Sequence, residues 1–134
     1  MLENLNKQNY ELHLWTARDR RTTLAILESL GLQNCFKNIW TSSDGPIKPH
    51  PYGIQKMLGK ELKQPRKHQM IMVGDSHMDV WAAKNANIPS IGVHWCPVSS
   101  STNLRKQGAS YLASSVAECE EIIHQHFQGK RRHV

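Results

Sequence analysis

The sequence has 134 residues, 39% of them apolar, which is enough chain and enough hydrophobic material for one domain with one core. The composition excludes collagen-like and wholly disordered chains, and no stretch approaches the roughly 20 apolar residues that cross a bilayer, so no membrane partner is expected. The net charge is +6, but Lys and Arg are scattered, with clusters only at 18–21 and 130–132. A solvated surface is therefore expected in preference to a nucleic-acid patch, and neither RNP aromatics nor zinc-finger spacing occurs.

The first residues lack the basic region and apolar run of a secretion signal, so the cytoplasm is the expected compartment. Residues 2–10 read as a short helix through Leu2 and Leu5, and residues 11–16 as a strand ending in a hydroxyl. Leu24, Leu27 and Leu30 mark a helix over 22–30, stopped by Gly31. Residues 38–42 give a second strand. Three prolines within 44–51 then forbid helix or central strand and fix a rigid loop. A helix is expected over 52–62, a connector over 65–68, and the clearest buried strand over 69–75.

An alanine-rich helix over 78–87 follows, then a turn at Asn87-Ile88-Pro89 and a strand over 90–95. A serine-rich loop leads to one helical turn at 104–107, a short strand at 109–112 and a closing helix over 115–127. Strands alternating with helices predict an α/β fold, a parallel sheet covered by helices, with ligands at the carboxyl ends of the strands. The expected organisation is one domain over 1–128 and a basic tail over 129–134, read as a solvated end. Cys35, Cys96 and Cys119 are odd in number and without C-x-x-C spacing, so free thiols are expected. Trp15, Trp40, Trp81 and Trp95 read as core or sheet-packing residues. His124 and His126 point to different faces of one helix and do not form a metal pair.

Chemistry concentrates in three places. Asp75 and Asp79 lie four residues apart across a strand-to-helix turn, where paired carboxylates suit a hard cation such as Mg2+, or alternatively cap the helix. Lys48, stiffened by Pro49, His50 and Pro51, can neutralise a phosphoryl group and a carboxylate together, or be plain surface charge. Thr16 at a strand end can donate to a phosphate oxygen, joined by the backbone N–H groups after it, Ala17 first, or be an ordinary cap. Arg18 is within reach of a substrate anion, and Asp19 reads as a helix cap. His77 reads as a solvent-facing loop residue.

The order of these signals resembles the haloacid dehalogenase superfamily, in its phosphoglycolate phosphatase-like branch. The matching pieces are Thr16 at a strand end, Leu30-Gly31-Leu32, Lys48-Pro49-His50-Pro51, Val73-Gly74-Asp75-Ser76 with Asp79, and the alanine-rich helix from Trp81 to Ala86. The resemblance covers residues 2–127. It implies a Rossmann-like three-layer core and Mg2+-dependent hydrolysis of a phosphomonoester, a small phosphorylated metabolite, through an aspartyl-phosphate. Thr16 and Ala17 would bind phosphate, Lys48 would bind it and stabilise its charge, Asp75 would ligate Mg2+, and Asp79 would serve the catalytic and metal site.

One family element is missing. A first strand ending in Asp-x-Asp, whose first aspartate is the nucleophile, has no counterpart among Asp19, Asp44, Asp75 and Asp79. In the family that strand lies between the Thr16 strand and the Asp75 strand, and the substrate-selecting cap domain follows it. The expectation is a core without its first strand and cap, truncated and inactive alone, with Met1 an internal start or the gene split. The alternative is a non-catalytic remnant that binds phosphate, metal or a partner. The two flanking strands must then close on each other, or accept the missing segment in trans, or meet a second copy in a homodimer.

Overall fold

A computed structural model describes residues 1–58, 69–128 and 134. Helix α1 (Leu2–Lys7) buries Leu5 and leads to strand β1 (His13–Trp15). Helix α2 (Arg20–Ser29) starts on Asp19, whose Oδ1 accepts from the Thr22 N–H at 2.9 Å, and Gly31 follows it with φ +69°. Strand β2 (Asn38–Trp40) precedes the proline loop, and helix α3 (Tyr52–Leu58) follows it. The expected continuation of α3 to residue 62 and the connector at 65–68 lie outside the described residues.

Strand β3 (Met72–Gly74), helix α4 (His77–Asn85) and strand β4 (Ser90–Val93) come next. Helix α5 (Ser101–Gln107), strand β5 (Tyr111–Ala113) and helix α6 (Val116–His126) complete the order. Helix α5 is longer than the single turn expected, because Ser100 is a cap rather than loop and accepts from the Asn103 N–H. Strand β5 begins two residues late, with Ser110 turned aside to accept from the Ser90 N–H.

Among the described residues the five strands form two parallel sheets, β1-β2 and β3-β4-β5. Period-two alternation sorts their side chains onto two faces. Leu12, Ile71, Ile91 and Val93 meet Leu5 of α1 and Ile123 and Phe127 by α6. On the other face Trp15, Met70 and Met72 meet Ile54 of α3 and Ala82 and Ala83 of α4. Each cluster draws on both sheets, so the two sheets belong to one layer between two helical layers. This is the α/β three-layer arrangement expected, and among the described residues β1 and β3 do not pair.

Several expectations need correction. On α2 only Thr23 and Leu27 are buried, while Leu24 and Leu30 are 43% and 62% exposed. The i, i+3, i+6 spacing of the leucines drifts by about 60° per step on a helix of 3.6 residues per turn, so they do not share a face. Trp15 is buried, but Trp81 and Trp95 are exposed. Trp81 lies on the outer side of α4, its Nε1 donating to Gln107 and its ring against His77, which is part of that helix and not of a loop. The tail over 129–133 lies outside the described residues; the described Val134 is half-buried, its amide donating to the Glu11 carbonyl and its carbonyl accepting from the His13 N–H. The cysteines are free thiols, and burial, with Glu120 and Glu118 nearby, pushes Cys119 up to about 11. Among the described residues no helix is long and apolar enough to cross a membrane.

Candidate active site

The carboxyl ends of β1 and β3 carry the predicted residues. Thr16 directly follows β1; its backbone N–H donates to the Trp40 carbonyl and its Oγ1 accepts from the Arg18 N–H at 3.1 Å. That turn leaves the Thr16 hydroxyl proton for another acceptor. Ala17 and Arg18 are exposed beside it. Asp75 directly follows β3 and is exposed, with no hydrogen bond to another described residue.

Lys48 joins the two halves. Its Nζ donates to the Trp15 carbonyl at 3.3 Å and pairs with Asp79 Oδ1 at 2.5 Å. The first contact lies at the end of β1 and the second on α4, just past β3, so the lysine spans the gap between the sheets at their carboxyl ends. Only 15% of the Lys48 side chain and 7% of that of Asp79 remain exposed, so the surface-charge reading of Lys48 does not hold. The other carboxylate oxygen of Asp79 accepts from the Ser76 N–H at 3.1 Å and the Ser76 hydroxyl at 3.0 Å. Asp79 thus caps α4, one of the two readings of its position, and in addition holds the lysine. Gly74 makes room for it, since a Cβ there would overlap the Asp79 carboxyl.

Sequence reasoning missed the clamp that sets the spacing of the two loops. Arg20 donates through Nε and Nη2 to Asp44 (3.1 and 2.7 Å) and through Nη2 to the Ile39 carbonyl. Asp44 Oδ2 also accepts from the Thr41 N–H and hydroxyl, each at 2.7 Å, and the Ser42 N–H donates to the Arg18 carbonyl. The loop bearing Thr16 and the loop bearing Lys48 are fastened together by this fork. The Thr41-to-Asp44 spacing signals the turn locally. The partner Arg20 lies 24 residues away and carries no local signal.

The Arg20 guanidinium first, and Thr41 after it, hold the Asp44 carboxyl well below the usual range, at about 2 in place of 3.8. A depressed carboxylate pKa stabilises the fold at pH above its unfolded value, and that stability is lost as pH falls through the folded value. The expected window is therefore from about 3.8 down to about 2. Because Arg20 is 42% exposed, the loss is expected to be only about 1 kcal/mol. Urea unfolding at stepped pH should show it, and Asp44→Asn should remove that part of the pH dependence.

Among the described residues, Asp75 is the one aspartate for which no engagement by another side chain or a helix start is seen. Mg2+ is commonly held by one or two carboxylates plus water and substrate phosphate, so an exposed carboxylate at a strand end fits it. Asp79 is held by Lys48 through one carboxylate oxygen and by Ser76 through the other. Among the described residues no group of three or more acidic, histidine or cysteine side chains gathers into a metal cage.

The geometry agrees with comparison to known proteins. The family model of haloacid dehalogenase-like hydrolases matches residues 1–93. The pyrophosphatase PpaX of Bacillus mycoides is 33% identical over 95 residues, covering 70% of this chain and 43% of its own length. The chain thus spans less than half the length of the curated relatives it matches. A predicted phosphatase from Clostridium acetobutylicum superposes with a TM-score of 0.80 at 30% identity, over 92% of this chain and 56% of the other. A predicted phosphoglycolate phosphatase from Haemophilus somnus gives 0.77 at 25%, over 90% and 53%.

Proposed function

This chain belongs to the haloacid dehalogenase-like hydrolases, and from that premise we propose that it is the phosphoryl-binding part of a Mg2+-dependent phosphomonoesterase of the phosphoglycolate phosphatase-like kind. The observation that carries the reading is Lys48 held between the Trp15 carbonyl and Asp79, across the gap between β1 and β3. A phosphoryl group entering there meets the Thr16 hydroxyl and the Ala17 amide on one side and the Lys48 ammonium on the other. Asp79 orients that ammonium and is itself fixed by Ser76. Asp75 would hold Mg2+, which when bound draws negative charge off the phosphoryl oxygens.

Attack on phosphorus needs a nucleophile, and the chain as it stands presents none. Asp19 caps α2, Asp44 is clamped by Arg20, Asp79 is paired with Lys48, and Asp75 is the metal ligand. The carboxylate must arrive on a strand lying between β1 and β3. Thr16, Ala17, Lys48 and the Mg2+ at Asp75 alone bind phosphate without turning it over, which is also what a non-catalytic remnant does. An in-frame Asp-x-Asp segment upstream distinguishes the enzyme from the remnant.

The test is hydrolysis of p-nitrophenyl phosphate, and of pyrophosphate as the name of the Bacillus relatives suggests, by the purified chain with Mg2+ beside Asp75→Asn. No turnover above the variant is expected. Titration with inorganic phosphate should shift the backbone amides of residues 16–18, and Lys48→Met should abolish the shift. Hydrolysis that vanishes in Asp75→Asn would show that a group of this chain attacks. Absence of any phosphate-induced shift would remove the binding site.

A further inference from the structure

The proline loop meets α4 at both ends of that helix. At its start Asp79 pairs with the Lys48 ammonium, and at its end the Asn85 side-chain amide donates to the Pro49 carbonyl at 2.9 Å. Asp79 and Asn85 are six positions apart, about 9 Å along the helix axis. The lysine therefore runs alongside α4, its tip held near the first turn and its root near the last. On its other side the loop is tied to its own half of the fold: the Trp40 Nε1 donates to the Pro46 carbonyl, and the Tyr52 N–H to His50 Nδ1. Neither of these bonds reaches across to α4.

An ion pair alone fixes the tip of a lysine and leaves the path of its flexible four-carbon stem open. An ammonium has three N–H groups. On Lys48 one donates to the Trp15 carbonyl at 3.3 Å and one to Asp79 Oδ1 at 2.5 Å. The nitrogen is tetrahedral, so those two bonds and the direction of the stem together set where the third N–H points. The stem takes its direction from the backbone at residues 48 and 49, which the Asn85 bond fastens to α4. Asn85 is exposed and ends its helix, and alanine has the higher helix propensity, so the helix itself does not call for asparagine there.

We propose that Asn85 is a positioning residue for phosphoryl binding: by fastening the Pro49 carbonyl to the end of α4 it aims the third N–H of Lys48 at the incoming oxyanion. The role rests on Lys48 being the phosphoryl-binding lysine, and Asn85 acts through that lysine rather than by touching phosphate.

The experiment is titration of the full chain and of Asn85→Ala with inorganic phosphate, followed at the backbone amides of residues 16–18. The variant is expected to bind about three- to tenfold more weakly, the worth of one net hydrogen bond. The Lys48 ammonium protons should exchange with water faster by a similar factor. A merely structural asparagine would loosen α4 as a whole. Amide exchange at Ser76, whose N–H donates to the other Asp79 oxygen, is therefore the control and should stay unchanged. A variant that binds phosphate as tightly as the parent, unchanged Lys48 exchange, or a Ser76 amide that speeds up in step overturns the proposal. A parent without any phosphate-induced shift is a different result: it removes the phosphoryl-binding reading of the site, and the aiming role falls with it.

Discussion

Replacing Asp79 with alanine should destabilise the chain by about 3–5 kcal/mol, the usual cost of removing one partner from a buried ion pair. Lys48 and Asp79 are 15% and 7% exposed, so the ammonium left behind has little water to turn to. Among the described residues its remaining contact is the Trp15 carbonyl, with the Trp15 ring centre 5.9 Å away. The Ser76 N–H and hydroxyl lose their acceptor in the same step, so the first turn of α4 loosens as well. Asp79→Asn keeps an acceptor for Ser76 and should cost less.

The decisive comparison is the double variant Lys48→Met, Asp79→Ala. With both charges gone no buried charge is stranded, and the double change should cost less than Asp79→Ala alone. Urea unfolding of the parent, the two single variants and the double variant measures this. An Asp79→Ala chain within about 1 kcal/mol of the parent would mean that water reaches Lys48 and that the pair is worth only what a surface pair is worth. The lysine would then not be held in place for phosphate.

The sequence carried the fold class because its signals are local. Short apolar runs, Gly31 after a helix and Asp19 before one each act over a few residues, and the structure shows strands, a cap and a stop there. The placement of Thr16 and Asp75 at strand ends could be read in the same way, from short motifs. What could not be read depends on residues that meet only in three dimensions. Arg20 and Asp44 are 24 positions apart, Lys48 and Asp79 are 31 apart, and His13 meets Val134 across nearly the whole chain. The misplaced leucines of α2 are a different failure: a three-residue spacing was taken for a helical stripe, which needs threes and fours together. The exposed Trp81 and Trp95 fail for another reason again, because size and apolarity say that a ring buries area somewhere, not that it buries all of it.

Gly74→Ala should be nearly as damaging as the loss of Asp79, although it adds only one methyl group. Gly74 is the last residue of β3, in register with Gly92, and the position a Cβ would take is already filled by the side chain of Asp79. That carboxyl cannot simply swing away. One oxygen is held by Lys48 and the other by the Ser76 amide and hydroxyl, and moving it gives up all three bonds. Overpacking a tight site costs typically 1–3 kcal/mol, and a loss near the top of that range, about 3 kcal/mol, is expected in urea unfolding. Gly31→Ala is the control. It meets no atom within 4 Å and suffers only from its φ of +69°, so a loss of about 1 kcal/mol is expected. Because Gly74 acts through Asp79, the Gly74→Ala, Asp79→Ala double variant should lose less than the two single losses added together. Full additivity would show that Gly74 is needed for the strand alone, and that the carboxyl has a second arrangement from which to hold the lysine.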